Sequence, residues 1–251
     1  MNYYRHLNVT AAAAVITINF LANYLPLNGQ LTGQVARQFR VVGYLPGFTF
    51  AIWGFIYALM VTFCVYQFLN PQTARRMGPP FIASCVFNIS WIFVWHYEFI
   101  PLSFAATIGL LVSLVVAYSR LEPYQRAGKA ELLSVNTLFS VYLGWLSITA
   151  VANGVILLEY LEWHWMGIEY DLWLLAAIVS SALFAVSVSL YNRDPVIPLT
   201  HAWVLTAVYL ANQDATLIAH FSSAGAVLIT AAAVYIALRY RIVFKQRIGV
   251  R

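Results

Sequence analysis

Between Asn136 and Tyr160 the chain carries Tyr142, Trp145, Thr149 and Asn153 at steps of three and four. At about 100° per residue these side chains fall on one narrow helical face. Two further segments repeat the pattern, with Phe50, Trp53 and Tyr57 in one and Asn88, Trp91 and Trp95 in the other. The chemistry open to such residues is non-covalent. Trp, Tyr and Phe stack on rings, while Asn amides and a Thr hydroxyl orient a polar edge. A lining of this kind suits a flat, apolar, polarisable ligand. The same faces equally suit a bundle core, with rings filling space and Asn bonding across helices. One stripe alone reads as packing, whereas three on nearby segments point to a shared internal surface.

Other chemistries lose ground on residue type. A retinal-type pigment needs a Lys inside a helix for its Schiff base, and the two lysines, Lys129 and Lys245, lie in a loop and a tail. A haem oxidoreductase needs axial ligands at matched depths. Of His6, His96, His164, His201 and His220, only His201 falls within an apolar run, where hydrogen-bonded packing is its ordinary role. Glu98, Glu159, Asp171 and Asp214 sit near span ends, so proton-coupled transport is not indicated. No nucleophile with a base and no metal-ligand spacing accompanies the stripes, and hydrolytic catalysis is not indicated either.

The stripes need apolar helices to carry them. Of the 251 residues, 62% are hydrophobic and 9% charged. Soluble domains carry about a quarter charged residues, so the expected class is an all-α polytopic membrane protein. The apolar runs are long and continuous, unlike the short alternating segments of a β-barrel. Cys64 and Cys85 lie inside such runs and read as small buried hydrophobes.

Eight spans are expected, over 9–26, 48–69, 81–97, 102–121, 136–160, 172–191, 196–211 and 222–238. The first begins like a signal peptide but offers no small-x-small cleavage site, so it reads as a retained helix. Its Asn19 and Asn23 share a face suited to bonding a neighbouring helix. Residues 27–47 form a loop in which Leu31, Val35 and Phe39 are spaced as a short surface helix, either a lid or a plain polar connection. Asn70 to Pro80, with Pro79-Pro80, reads as a turn and a helix boundary. The fourth span reads as a lipid-facing packing helix. Trp163 and Trp165 mark an interfacial belt.

Eight crossings place Arg5, Arg75, Arg76, Arg120, Arg126, Lys129, Arg193 and the basic C-terminal tail on one side, and only Arg37 and Arg40 on the other. By the positive-inside rule both termini are cytoplasmic. The net charge of +5 therefore belongs to topology, and no nucleic-acid partner is expected.

The ordered set Pro46-x3-Phe50-x2-Trp53-x3-Tyr57, Asn88-x2-Trp91 and Tyr142-Leu143-x-Trp145 with Asn153 resembles the translocator protein family. This is also called the TspO/peripheral benzodiazepine receptor or tryptophan-rich sensory protein family. The resemblance covers residues 9–161. It implies a TspO-like five-helix bundle over 1–161, with 162–251 adding three helices and a tail as in the longer bacterial branch. The setting implied is a bacterial inner membrane. The resemblance further implies a cavity lined or supported by Trp53, Asn88, Trp91, Trp145 and Asn153, with 27–47 as its lid. The implied ligand is a porphyrin or haem held non-covalently, or a similar flat molecule, which the protein would sense, receive or transport. A homodimer is also implied for the family. Two departures stand out. Val141 replaces a family Pro, and no Lys or Arg follows Tyr160 closely, so the family's sterol motif is missing. The alternative is a structural membrane subunit whose aromatic faces are only core and whose added helices dock another membrane protein.

Overall fold

A computed structural model of the chain describes residues 3–124, 126–163 and 165–240. The tail from Arg241 onward and His164 lie outside the described residues, as does the part of the charge asymmetry that rests on them. The elements are α1 (Tyr3–Tyr24), α2 (Thr32–Ala36), α3 (Arg40–Gly43), α4 (Ile52–Leu69), α5 (Pro71–His96), α6 (Ile100–Ser119), α7 (Lys129–Glu131), α8 (Thr137–Tyr160), α9 (Tyr170–Asn192), α10 (Val196–Ala211) and α11 (Thr216–Arg239). A 3-10 turn at Gly47–Ala51 leads into α4, and a π-helical turn at Leu132–Asn136 leads into α8. Seven helices among the described residues are long and apolar enough to cross a membrane, and the apolar α10 is shorter at 16 residues. The protein is an all-α, multi-pass membrane protein. Helices suit that setting because each satisfies its own backbone polar groups without water.

One boundary differs from expectation. Pro79 and Pro80 do not end a turn but lie inside α5, which runs unbroken from Pro71 to His96. A proline inside a helix removes the N–H owed to the carbonyl four residues back. For Pro80 that carbonyl belongs to Arg76, and Arg120 Nη1 donates to it instead at 3.1 Å. The helix continues because a donor from the end of α6 replaces the missing one.

The helices pack as a series of neighbours. α5 lies against α1 and α6, α6 against α8, α8 against α10, and α10 and α9 against α11. α6 is therefore held between α5 and α8 rather than only facing lipid, and it buries Ser103, Thr107 and Leu110 on that stripe. Phe63, Phe81 and Phe139 join α4, α5 and α8 through ring centroids 4.9–6.2 Å apart. Gly144 lets α10 approach α8 closely, since a Cβ there would meet Thr200 at 3.0 Å. α9 scarcely touches α8.

Candidate ligand site

The stripe residues come together in two groups joined through one amide. In the first, Trp53 from α4 stacks on Tyr57 at 5.9 Å and meets the edges of Tyr142 and Trp145 from α8 at 5.8 and 6.2 Å. Phe50 meets Trp145 edge-on at 6.0 Å. In the second, Trp91 and Trp95 of α5 stack at 5.2 Å, and Trp91 Nε1 donates to Asn153 Oδ1 of α8 at 3.3 Å. Asn88 links the groups by donating to the Tyr142 hydroxyl at 3.1 Å and accepting from Asn19 Nδ2 of α1 at 2.7 Å. Asn19 thus bonds across helices as expected, whereas Asn23 bonds back to its own helix at the Asn19 carbonyl. Thr149 sits between the groups, and its hydroxyl bonds the Trp145 and Leu146 carbonyls of its own helix.

Asn88 with Tyr142 and Trp91 with Asn153 spend their polar atoms on each other, whereas Trp95 and Thr149 bond backbone carbonyls. Trp145 differs from these. Its ring is 1% exposed, and among the described residues Nε1 has no hydrogen-bond partner. An unpaired buried donor costs about 1–3 kcal/mol. The indole N–H is therefore a donor in search of an acceptor inside an aromatic enclosure.

The 27–47 loop folds over the second group. α2 is a short helix that buries Val35 completely. Trp95 Nε1 donates to the Thr32 carbonyl at 3.2 Å, and Phe39 lies 5.9 Å from the Trp95 ring. His96 latches the loop. Its Nδ1 bonds the Ile92 carbonyl at 2.7 Å, its Nε2 lies 3.2 Å from Thr32 Oγ1, and its own carbonyl accepts from Asn28 at 3.0 Å. Beyond α3, Tyr44 donates to Asp171 Oδ1 at 2.6 Å, and Arg40 pairs with the same oxygen at 3.2 Å. Burial, together with the hydrogen bond to Asp171, holds the Tyr44 phenol above its ordinary pKa, so it stays a donor.

A cleft lies beside the stripe. Ile148, Val151, Ala152 and Val155, on the adjoining face of α8, border a cleft of about 100 Å³ shared with α9, α10 and the α3 segment. Sequence periodicity gave no sign of this cleft, because it arises where α8 and α9 fail to meet.

Asp194, in the short connection between the expected spans 172–191 and 196–211, is not singled out by the sequence. It is wholly buried between α9 and α10. Oδ2 accepts from Tyr118 of α6 at 2.9 Å and Ser140 of α8 at 2.6 Å, and Oδ1 accepts from the Val196 N–H at 2.7 Å. Tyr124 extends the network to Ser140 at 2.9 Å. Burial pushes the Asp194 carboxyl above the usual carboxylate range, while the bonds from Ser140, Val196 and Tyr118 pull the other way. An Asp directly before a Pro at the start of an apolar helix is the one signal for it, as a residue whose side chain bonds the backbone two positions on.

The family model described as TSPO-like protein matches residues 5–235. The chain belongs to the TSPO-like family. The match runs through α9 and α10 and into α11, so it covers more of this TSPO-like chain than the motifs of the first five spans. No curated protein and no solved structure matches the chain.

Proposed function

We propose that this TSPO-like membrane protein binds a flat hydrophobic ligand of the porphyrin class among α4, α5 and α8, beneath the 27–47 loop. The observation that carries the reading is the unpartnered Trp145 N–H within the Phe50–Trp53–Trp145 enclosure. A ring with a peripheral acceptor, such as a porphyrin carboxylate, would stack on Trp53 and take that hydrogen bond. Binding requires the rings to part and the loop to lift, since Trp145 and Tyr142 are both 1% exposed in the closed form. The role that follows is sensing, receiving or moving the ligand, with both termini on the cytoplasmic side. Protoporphyrin IX titration with tryptophan fluorescence tests it. Saturable quenching that weakens about tenfold in Trp145→Phe is expected. Quenching that is absent, or unchanged from wild type in all of Trp53→Phe, Trp91→Phe and Trp145→Phe, would overturn it.

The close ring-on-ring packing favours a second reading, in which the stripes are only core and the protein is a structural or partner-binding membrane subunit. Stoichiometric copurification of another membrane protein, with no porphyrin binding, would decide for that reading.

A further inference from the structure

The cleft beside α8 has the shape and chemistry of a separate site. α9 packs against α10 and α11 and leaves α8 largely uncovered on that side. Ile148 and Val155 of α8, Leu174 and Ile178 of α9, and Val204 of α10 make its wall apolar. Val151 is 50% exposed and marks the lateral opening. Along α9 the lining runs from Tyr170 to Ser181, about 16 Å of helix, or roughly half the ~30 Å apolar thickness of a bilayer. At about 100 Å³ it falls below the roughly 300–1,000 Å³ of sites for drug-sized molecules. The groove opens laterally at Val151, and an extended single chain matches its length along α9.

Tyr44, Tyr170, Trp173 and Ser181 also line the cleft, and the buried imidazole of His201 is the polar group in its α10 wall. His201 of α10 lines the cleft and is 1% exposed. Its Nδ1 lies 3.1 Å from the Ile197 carbonyl. A carbonyl only accepts, so Nδ1 carries the hydrogen and the neutral ring's Nε2 is an acceptor. The neighbour of Nε2 is Ser147 Oγ at 3.3 Å. Ser147 has one proton, and that proton also faces the Gly144 carbonyl at the shorter distance of 2.8 Å. One donor thus serves two acceptors, and Nε2 is the poorly supplied one.

We propose that the cleft binds one long-chain alcohol, with its chain in the α8–α9 groove and its hydroxyl donating to His201 Nε2. A carboxylate would set acceptor against acceptor and bring a charge into an apolar wall. The inference is independent of porphyrin binding.

The test uses the full chain in phosphatidylcholine nanodiscs, with retention of tritiated 1-dodecanol measured against empty discs. Saturable retention is expected, with dodecane competing at least tenfold more weakly. Ala177→Phe and, from the opposite wall, Ala152→Phe should each fill the cleft and abolish retention, with helical circular dichroism and the thermal midpoint of each variant checking its integrity. Ser147→Ala, which removes the neighbouring hydroxyl, should tighten the alcohol a few-fold, and His201→Phe should erase the preference for alcohol over dodecane. Retention no greater than in empty discs, retention unchanged in both filling variants, or equal competition by dodecane would each overturn the proposal.

Discussion

Arg120 Nη1 donates to the Arg76 carbonyl at 3.1 Å, the acceptor that Pro80 leaves without an N–H. This contact joins the end of α6 to the early part of α5 and lets two adjacent prolines sit within a continuous helix. Arg120→Met should lower stability by ~0.5–1.5 kcal/mol. Because Pro80→Ala restores the missing N–H, the loss should shrink in the Pro80→Ala background. Thermal midpoints of the four proteins form a double-mutant cycle. Strict additivity would show that Arg120 does not replace the proline's lost donor.

Asp194 predicts a pH dependence. Its folded-state pKa is raised, chiefly by burial, above an unfolded value of about 3.9. In the window between the two values the folded state binds more protons than the unfolded one. Its contribution is then fully present below about pH 3.9 and is lost as pH rises through the folded value. Asp194→Asn should flatten this part of the profile, measured as melting temperature against pH. Asp194→Ala should be worse at every pH, by about 3 kcal/mol or more, because Tyr118, Ser140 and the Val196 N–H lose their acceptor together. A wild-type profile parallel to that of Asp194→Asn would remove Asp194 as the titrating group.

Trp145→Phe separates stability from binding. The substitution relieves an unpartnered N–H worth about 1–3 kcal/mol but leaves a cavity where the fully buried indole packed, and the two offset, so the unfolding free energy should fall by no more than ~1 kcal/mol. Chemical denaturation without ligand measures this. A loss well beyond that range would mean that no relief of an unpaired N–H offsets the lost packing.

The His96 latch should set how often the loop lifts. Thr32→Val keeps the shape of the side chain but removes the hydroxyl 3.2 Å from His96 Nε2. Amide hydrogen exchange over Gln34 to Phe39 should quicken about fivefold to tenfold, corresponding to one net hydrogen bond. Unchanged exchange would assign loop closure to Val35 and Phe39 packing alone.

Much of this arrangement was legible because helical periodicity marks faces directly. Tyr142, Trp145 and Asn153 share a face by spacing, and they do point toward α4 and α5. The eight apolar segments were legible for the same reason, since length and hydropathy are local properties. What escaped depended on distant partners. The Pro79-Pro80 pair was misread because its remedy, Arg120, lies 44 positions from Arg76. Asp194 looked like a turn residue because its burial is created by Tyr118 and Ser140, which are 76 and 54 positions away. The family match added that the pattern extends to residue 235, beyond what the stripes alone could mark.

The segment around α3 faces two ways. Phe39 covers Trp95, while Val41, Tyr44 and Leu45 close one end of the cleft, and Asn212 at the end of α10 donates to the Tyr44 carbonyl at 3.0 Å. With both proposed sites occupied, a shared wall of this kind would link them thermodynamically. Whatever free energy one occupant spends displacing the wall changes the affinity for the other occupant by the same factor, in both directions. Cooperativity of either sign would then arise without any contact between the two occupants.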